Sequence, residues 1–328
     1  MIRARLHEQE IREAIGVPGE GELVVEGVAA LDEAEDRCLY WFATELPGAA
    51  REALARRSDC IVIAPSGSSD GELGGGCRIL EVPDPREAIA KVLGLVRTLG
   101  RQPPLVDARD VASDAQISPK ALVEGNVRIG EGVVIGPFCT VGPDVSIGRG
   151  SVLHPGVRVY PRVSIGEEST IGANTVIGND GYGFVRDDAG NKVRMPQLAG
   201  VTIGSHVDIG ALVAVEGGAI RETIIEDHAK LADLVFLGHG VRVERNASVT
   251  AGVVLAGSSV VGAEAWLGIN TSVRDGRRVG SHALVGMDAS VQEDLEDGAI
   301  ARAPQPAVER RSADDDLTGI GFGYRRKR

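Results

Sequence analysis

Aromatic side chains and cysteines are both scarce in this sequence. Only 3% of its 328 residues are Phe, Trp or Tyr, whereas 44 are glycine. This composition does not suit a core of large rings, and it favours small and β-branched side chains in repeated turns. The four cysteines are far apart along the chain and form no CxxC pair: Cys38, Cys60, Cys77 and Cys139. They predict neither a zinc cluster nor a disulfide framework, and they favour a reducing compartment, the cytoplasm.

Positive charge and long apolar runs are also lacking. The formal net charge is −12, which argues against a general nucleic-acid binder. The N-terminal stretch MIRARLHEQEIREAIG is charged throughout and has no apolar core of a signal peptide. No apolar run approaches the roughly 20 residues of a transmembrane segment, so a lipid substrate would be met from the water side.

The sequence does contain a six-residue repeat. From Ile117 to Ile177 every sixth residue is aliphatic; the pattern returns at 203–215 and, after a four-residue slip, runs over 225–291. Glycine often follows the aliphatic residue, and a small or β-branched residue stands four places after it, with Arg277 as an exception. A period of six residues matches neither the 3.6 residues per turn of an α-helix nor the two-residue alternation of a flat strand.

Period six fits a short strand followed by a turn of about 120°, so that three hexads close one triangular coil. The aliphatic residues point inward and stack from coil to coil, and glycine allows the tight corner. The sequence therefore predicts a mostly β protein built on a left-handed parallel β-helix. A β-sandwich with accidental spacing is the alternative, and it does not explain so many consecutive hexads.

Other parts of the chain do not follow the repeat. An inserted loop at 179–201 contains a hairpin tip at 188–191. The first third alternates predicted helices (6–15, 47–56, 85–96) with predicted strands (23–28, 38–42, 60–64, 77–82), which indicates a small α/β domain. We expect this domain at 1–105, a linker at 100–112, the β-helix at 106–292 and a short irregular tail at 293–328.

One histidine has an unusual position in the hexads. The chain contains six: His7, His154, His206, His228, His239 and His282. Only His239 stands two places after an aliphatic residue, where a side chain points outward and a neighbouring subunit can pack. Gly257 follows it by one coil of eighteen residues, and adjacent coils are about 4.8 Å apart. The Gly257 N–H could stabilise an oxyanion beside the histidine; a surface histidine and a packing glycine are the simpler alternatives.

Several segments resemble one family. They are VRVYPRVSIGEESTIGANTVIGNDGYGF at 157–184, MPQL at 195–198, the stretch 201–211, GVA at 27–29 and LYWF at 39–42. Through them the whole chain resembles UDP-3-O-acylglucosamine N-acyltransferase of lipid A biosynthesis. The hexads alone would indicate a hexapeptide acyltransferase or, occasionally, a zinc enzyme on the same fold.

The resemblance implies a homotrimer with active sites between neighbouring β-helices. It also implies an acyl carrier protein whose phosphopantetheine arm delivers the acyl group to a UDP-amino sugar, with no metal and no bound cofactor. His239, in LGHGV at 237–241, aligns with the family's catalytic histidine, and a neutral imidazole suits proton removal from an amine.

The chain departs from the family around this histidine. Ala232 replaces the usual aspartate, so Asp233 or Glu216, the acidic residue of the preceding coil, is left to orient His239. Three glycines stand where the family has arginine, asparagine and a second histidine: Gly217, Gly240 and Gly276.

The resemblance also assigns binding residues. Trp41 falls where the family stacks an aromatic ring on uracil, although a core tryptophan is an equal alternative, and Thr44 replaces an expected asparagine. Tyr182 and Phe184 of the insert line the acyl or pantetheine groove, or simply fix the loop. Docking of an acidic carrier protein needs a basic patch, predicted at Arg274, Arg277 and Arg278 with further arginines at 302, 310 and 311, unless these are solvated charges.

The predicted function is transfer of a (3-hydroxy)acyl group from acyl carrier protein to the 2-amine of UDP-3-O-acyl-glucosamine or a related UDP-amino sugar. One alternative is an acetyl-CoA-dependent sugar acetyltransferase. Another is a non-catalytic paralogue that binds a nucleotide sugar or a carrier protein. Acyl transfer that depends on His239 separates these classes.

Overall fold

The computed structural model describes residues 1–33, 35–68, 73, 76–99, 109–187 and 189–304. The N-terminal part forms one five-stranded sheet in sequence order, in which the first two strands are antiparallel and the others parallel. Its strands are β1 (Ile2–His7), β2 (Val24–Val28), β3 (Cys38–Trp41), β4 (Ile61–Pro65) and β5 (Arg78–Val82). Its helices are α1 (Glu8–Ile15), α2 (Gly48–Ala55) and α3 (Pro85–Leu99).

One predicted element of this domain is wrong at its start. Residues 2–7 form strand β1, so helix α1 begins at Glu8 rather than at residue 6. The apolar residues Ile2, Ala4 and Leu6 alternate with charged ones, and Ile2 and Leu6 are buried, which is the period of a half-buried strand. The other predicted helices and strands are present, with boundaries shifted by a few residues.

Three of the cysteines are neighbours in space despite their distance in sequence. Cys38 begins β3, while Cys60 and Cys77 immediately precede β4 and β5, the next two parallel strands. All three belong to the apolar cluster under α2. Every cysteine of the chain is a free thiol.

The hexads form three parallel sheets, which we call faces 1, 2 and 3 in chain order. Face 1 contains Arg109–Val111, Val127–Ile129, Ser146–Ile147, Val163–Ile165, Val201–Ile203, Thr223–Ile225, Arg242–Val243, Val260–Val261 and Arg278–Val279. Face 2 contains Gln116–Ile117, Val134–Ile135, Val152–Leu153, Thr170–Ile171, Asp208–Ile209, Lys230–Leu231, Ser248–Val249, Trp266–Leu267, Leu284–Val285 and Ile300–Ala301. Face 3 contains Leu122–Val123, Thr140–Val141, Arg158–Val159, Val176–Asp180, Ala214–Gly217, Phe236–Leu237, Val254–Leu255, Ser272–Val273 and Ser290–Val291.

The predicted parallel β-helix is thereby confirmed. Strands one coil apart pair in register, as Val134 does with Val152, and the aliphatic residues form one continuous buried stack. The fold extends beyond its expected C-terminal end, since Ile300–Ala301, placed in the tail, pairs with Leu284–Val285. Arg109–Val111, which lies where the expected linker and the expected β-helix overlap, is the first strand of face 1. Residues 100–108 and 305–328, with Arg310 and Arg311, lie outside the described residues.

Glycine has a different role in the hexads from the predicted one. Gly166, directly after the aliphatic Ile165, has no left-handed backbone, but a Cβ there would lie 2.5 Å from the carbonyl carbon of Gly204 in the next coil. The left-handed residue comes two places later, as at Asn246 with φ 57° and Gly240 with φ 68°. Glycine after the aliphatic residue therefore provides clearance between coils, whereas the turn itself is made at a position that also accepts Asn, Asp and His.

Both irregularities of the repeat lie at the corner between face 3 and face 1, which we call corner 3–1. The insert leaves after Val176–Asp180 and forms the predicted hairpin from Phe184–Arg186 and Lys192–Arg194, with Asp188 outside the described residues. The four-residue slip follows Ala214–Gly217.

The N-terminal domain packs over the same corner. Leu198 and Ile220 join its apolar cluster, and Arg97 of α3 forms an ion pair with Asp180 at 3.5 Å. Within the described ranges, no helix has the length and apolar character needed to cross a membrane.

Candidate functional site

Five successive coils bring polar groups or glycines to corner 3–1. In chain order they are Gly181, at the start of the insert, and then Glu216, His239, Gly257 and Asp275. The last three are spaced by one coil each and form a single column. The corner thus unites His239, Gly257 and Glu216, all predicted from the sequence, with Gly181 and Asp275, which were not predicted.

Glu216 is the carboxylate that contacts His239. It is the last residue but one of a face 3 strand, Ala214–Gly217. It is 7% exposed, and its Oε2 accepts a hydrogen bond from the His239 backbone N–H at 3.1 Å. Burial raises the pKa of Glu216, opposed by backbone hydrogen bonds from His239 and Tyr182 and by the charges of His239 and Arg194. The result is a buried carboxylate held against the backbone of the histidine.

The insert closes over this pair. A Cβ added to Gly181 would lie 2.7 Å from Glu216 Oε2 and 3.0 Å from His239 Cβ, so only glycine allows the approach. Arg194 Nη1 donates a hydrogen bond to the Gly181 carbonyl oxygen at 2.9 Å. Neither residue was predicted, because their proximity depends on how the insert folds back.

The two predicted aromatic residues of the insert lie together beside this contact. The Arg194 guanidinium stands 4.7 Å from the centre of the Phe184 ring, and that ring meets Tyr182 edge-on at 5.1 Å. Tyr182 is 75% exposed. The pair therefore offers an apolar surface in the insert, and Arg194, which contacts both Phe184 and Gly181, links this surface to the residue that touches His239.

The imidazole of His239 lies against Gly257, as the column predicted. A Cβ on Gly257 would lie 2.6 Å from His239 Nε2 and 2.7 Å from Cε1. Among the described residues, the N–H of Gly257 has no hydrogen-bond acceptor. A ring nitrogen of the half-buried His239 and an unpaired donor on the buried Gly257 therefore stand side by side.

Asp275 enters the same space from the following coil. Its Oδ1 lies 2.9 Å from the point that a Gly257 Cβ would occupy, so it and the imidazole converge on one spot. The signal for it was present in the sequence, since a second step of eighteen residues beyond Gly257 ends at Asp275.

Asp233 does not lie beside His239 within the protomer. It follows a strand of face 2, at the corner between faces 2 and 3, where its Oδ1 accepts a hydrogen bond from the Ala211 N–H at 2.7 Å. Of the two carboxylates proposed to orient His239, only Glu216 contacts it. The sequence left this choice open because the hexad position alone does not show which corner a side chain occupies.

The three predicted docking arginines do not form a free basic patch. Arg278 pairs with Glu244 at 2.9 Å, and Arg277 lies 3.7 Å from Asp294 and near a second carboxylate. Arg274 is exposed and has no ion pair among the described residues. Ion pairing across coils therefore reduces the local positive charge to Arg274, with the exposed Arg302 farther along the chain.

The proposed uridine residues lie at the carboxyl end of β3. Trp41 is half-buried against the apolar cluster that α1 and α3 share with the insert, and Thr44 is exposed just beyond it. Part of the indole is therefore in the core, and the rest remains accessible at the junction of the two domains.

Comparisons with known proteins give one family model and several relatives. The family described as bacterial transferase hexapeptide (six repeats) matches residues 111–143 and 144–179. A UDP-N-acetylglucosamine acyltransferase from Campylobacter jejuni shares 22% sequence identity over 55% of this chain and 68% of that one, with a TM-score of 0.49.

Two relatives match across both domains. A UDP-3-O-acylglucosamine N-acyltransferase from Delftia acidovorans is 38% identical over 262 residues, which are 79% of this chain and 74% of the relative. One from Coxiella burnetii is 35% identical over 265 residues, 76% of this chain and 74% of the relative. The chain therefore belongs to the UDP-3-O-acylglucosamine N-acyltransferase family.

Proposed function

We propose that this protein transfers an acyl group from the phosphopantetheine thioester of acyl carrier protein to the 2-amine of UDP-3-O-acylglucosamine or a closely related UDP-amino sugar. The observation that carries the proposal is the His239 imidazole held against Gly257, whose N–H is unpaired. A base and an oxyanion donor on one corner are the two groups that acyl transfer needs.

The reaction follows from this arrangement. Neutral His239 accepts a proton through Nε2 while the amine nitrogen attacks the thioester carbonyl carbon. The negative charge that develops on the carbonyl oxygen is stabilised by the Gly257 N–H. When the carbon–sulfur bond breaks, the imidazolium returns the proton to the departing sulfur. Glu216, which contacts the His239 backbone, stabilises the imidazolium in the meantime.

Substrate binding divides between the domains. Trp41 stacks on the uracil at the domain junction, and the apolar pair Tyr182 and Phe184 borders the acyl or pantetheine groove. Arg274 is the described arginine of the predicted patch that remains free to meet the acidic carrier protein. The reaction would take place in the cytoplasm.

A homotrimer completes the site. One β-helix alone offers an open corner rather than a cleft. The adjacent corner, between faces 2 and 3, exposes large apolar side chains at one hexad position: Phe138, Leu212 and Leu234 are 63%, 57% and 60% exposed. Exposed apolar rows of this kind mark association surfaces. Light scattering at micromolar concentration should give three copies, and a stable monomer would contradict this part of the proposal.

The activity is tested with a mass-spectrometric screen of donors against UDP-amino sugars. Acyl carrier thioesters of several chain lengths and acetyl-CoA are offered, which includes the acetyltransferase alternative. His239→Ala should lower kcat at least about a hundredfold, as expected for loss of a positioned base. His154→Ala is the matched control, since His154 is exposed on another part of the β-helix. Near-normal transfer by His239→Ala would show that another group is the base, and no transfer by the wild type would favour the non-catalytic alternative.

A further inference from the structure

Corner 3–1 carries a carboxylate that the reaction above does not use. Asp275 stands two places after an aliphatic residue, and three other aspartates share that position: Asp227, Asp233 and Asp297. Each of those three accepts a hydrogen bond from a backbone N–H one coil earlier, at 2.7 Å.

Asp275 does not follow this rule. The equivalent N–H one coil earlier belongs to Gly257, and no hydrogen bond joins the two residues. Within the described part of the chain, Asp275 has neither a hydrogen bond nor an ion pair, although its Oδ1 lies 2.9 Å from the point where a Gly257 Cβ would stand. An unpaired acceptor and an unpaired donor thus flank the imidazole.

A free carboxylate beside an oxyanion donor is unfavourable for a reaction that develops negative charge alone. Like charges close together repel by an amount that grows as water is excluded. The arrangement becomes favourable if positive charge develops between them. Attack by an amine on a thioester does this, because the nitrogen becomes positive while the carbonyl oxygen becomes negative.

We propose that Asp275 is a specificity-determining residue that binds the acceptor nitrogen and stabilises its positive charge, so that the site favours an amine over a hydroxyl acceptor. This inference rests on the proposed acyl transfer and adds the residue that recognises the acceptor nitrogen. The ammonium loses one proton to water, and the nitrogen–carbon bond forms. His239 takes the second proton and passes it to the departing sulfur as the carbon–sulfur bond breaks.

The charged groups near Asp275 belong to two coils. His239 faces it across Gly257, and Arg274 and Arg277 are in its own coil. Arg277 already lies near Asp294. The test therefore compares two acceptors that differ only in the substituent on that nitrogen.

The test is Asp275→Asn, which keeps the size of the side chain and removes its charge. UDP-glucosamine, whose amine is free, should bind about two- to fivefold more weakly to the variant, as for loss of an exposed ion pair. UDP-N-acetylglucosamine, whose nitrogen carries no charge, should bind equally to both proteins. In the wild type, affinity for UDP-glucosamine should rise as the pH falls and the ammonium forms, and the variant should lose most of that rise.

Catalysis supplies a second measurement. For the amine acceptor, kcat/KM should fall about tenfold in Asp275→Asn, the effect of losing a hydrogen bond to a charged group. Asp114→Asn is the control, because it removes the same charge from an exposed position between faces 1 and 2 and should change neither measurement.

Three results would overturn the inference. Wild-type binding and kcat/KM in Asp275→Asn would show that Asp275 is not part of the site. If His239→Ala is inactive in the same assay, the proposed transfer reaction would still stand. An equal loss of affinity for both UDP-sugars would indicate a general structural effect. A wild-type protein that acylates no amine would refute both this inference and the proposed function.

Discussion

Replacing Gly257 with alanine tests the geometry of the site directly. The new Cβ would lie 2.6 Å from His239 Nε2, and ordinary contact begins at about 3.4 Å, so the imidazole has to retreat by most of an ångström. Displacements of about 1 Å can lower a rate a hundredfold. Gly257→Ala should therefore reduce kcat about a hundredfold while leaving the backbone N–H in place.

Stability should change little in the same variant. The φ of Gly257 is outside the left-handed region, and the nearest atoms are the ends of side chains rather than backbone. Alanine also restricts the unfolded chain, which is worth about 0.4–1 kcal/mol in favour of folding. We expect the free energy of unfolding to stay within about 1 kcal/mol of wild type, measured by denaturant titration.

Two comparisons make the result decisive. Gly286→Ala is a matched control, since its Cβ would meet no atom closer than 3.4 Å, and it should leave kcat unchanged. In a His239→Ala background, Gly257→Ala should have almost no further effect, because the displaced group is gone. Wild-type kcat in Gly257→Ala would refute the placement of the imidazole. A large loss of stability would show that the contact is relieved by the backbone instead.

Three further predictions follow from the same geometry. Glu216→Gln should lower kcat about tenfold or more, the effect of losing a charged hydrogen bond, whereas Asp233→Asn should leave kcat near wild type. Because burial raises the pKa of Glu216, its ionised form is lost at a higher pH than in an ordinary glutamate; the wild-type pH–rate profile should contain this acid limb and the Gln variant should lack it. Trp41→Ala should weaken UDP binding by about 1–3 kcal/mol in calorimetry, and Trp266→Ala should not. Arg274→Glu should raise KM for the carrier thioester about two- to fivefold and flatten its salt dependence; an unchanged KM would remove this arginine from the docking surface.

The regular part of the fold could be predicted from the sequence because each hexad repeats the same pattern of a short strand and a turn. Aliphatic residues at every sixth position can all be buried only if the chain coils with three hexads per turn. The period alone therefore predicts the three faces and the columns of residues spaced by eighteen. The pairing of His239 with Gly257 followed from that period alone. No long-range information was needed, since each coil contacts mainly its two neighbours.

Two features that the sequence did not predict depend on contacts between distant segments. Gly181 reaches His239 because the insert folds back, and Glu244 neutralises Arg278 across coils. Strand β1 was obscured because its alternation leads directly into the charged helix α1. The eighteen-residue spacing places Asp275 in the same column as His239 and Gly257. Its unpaired carboxylate, however, can be seen only in the structure.

In the β-helix, the residues that form the core and those that form the candidate site occupy different hexad positions. Inward positions such as Leu237 and Leu255 are completely buried, whereas the column beside them changes from His239 to Gly257 to Asp275 without disturbing that stack. Substitution at an outward position therefore alters the site at almost no cost in stability, apart from contacts made across coils. For this reason the departures from the family around His239 carry no sign of a weakened fold. They change the groups that surround His239, so the corner that holds this histidine, rather than the fold, is where this chain departs from the family pattern.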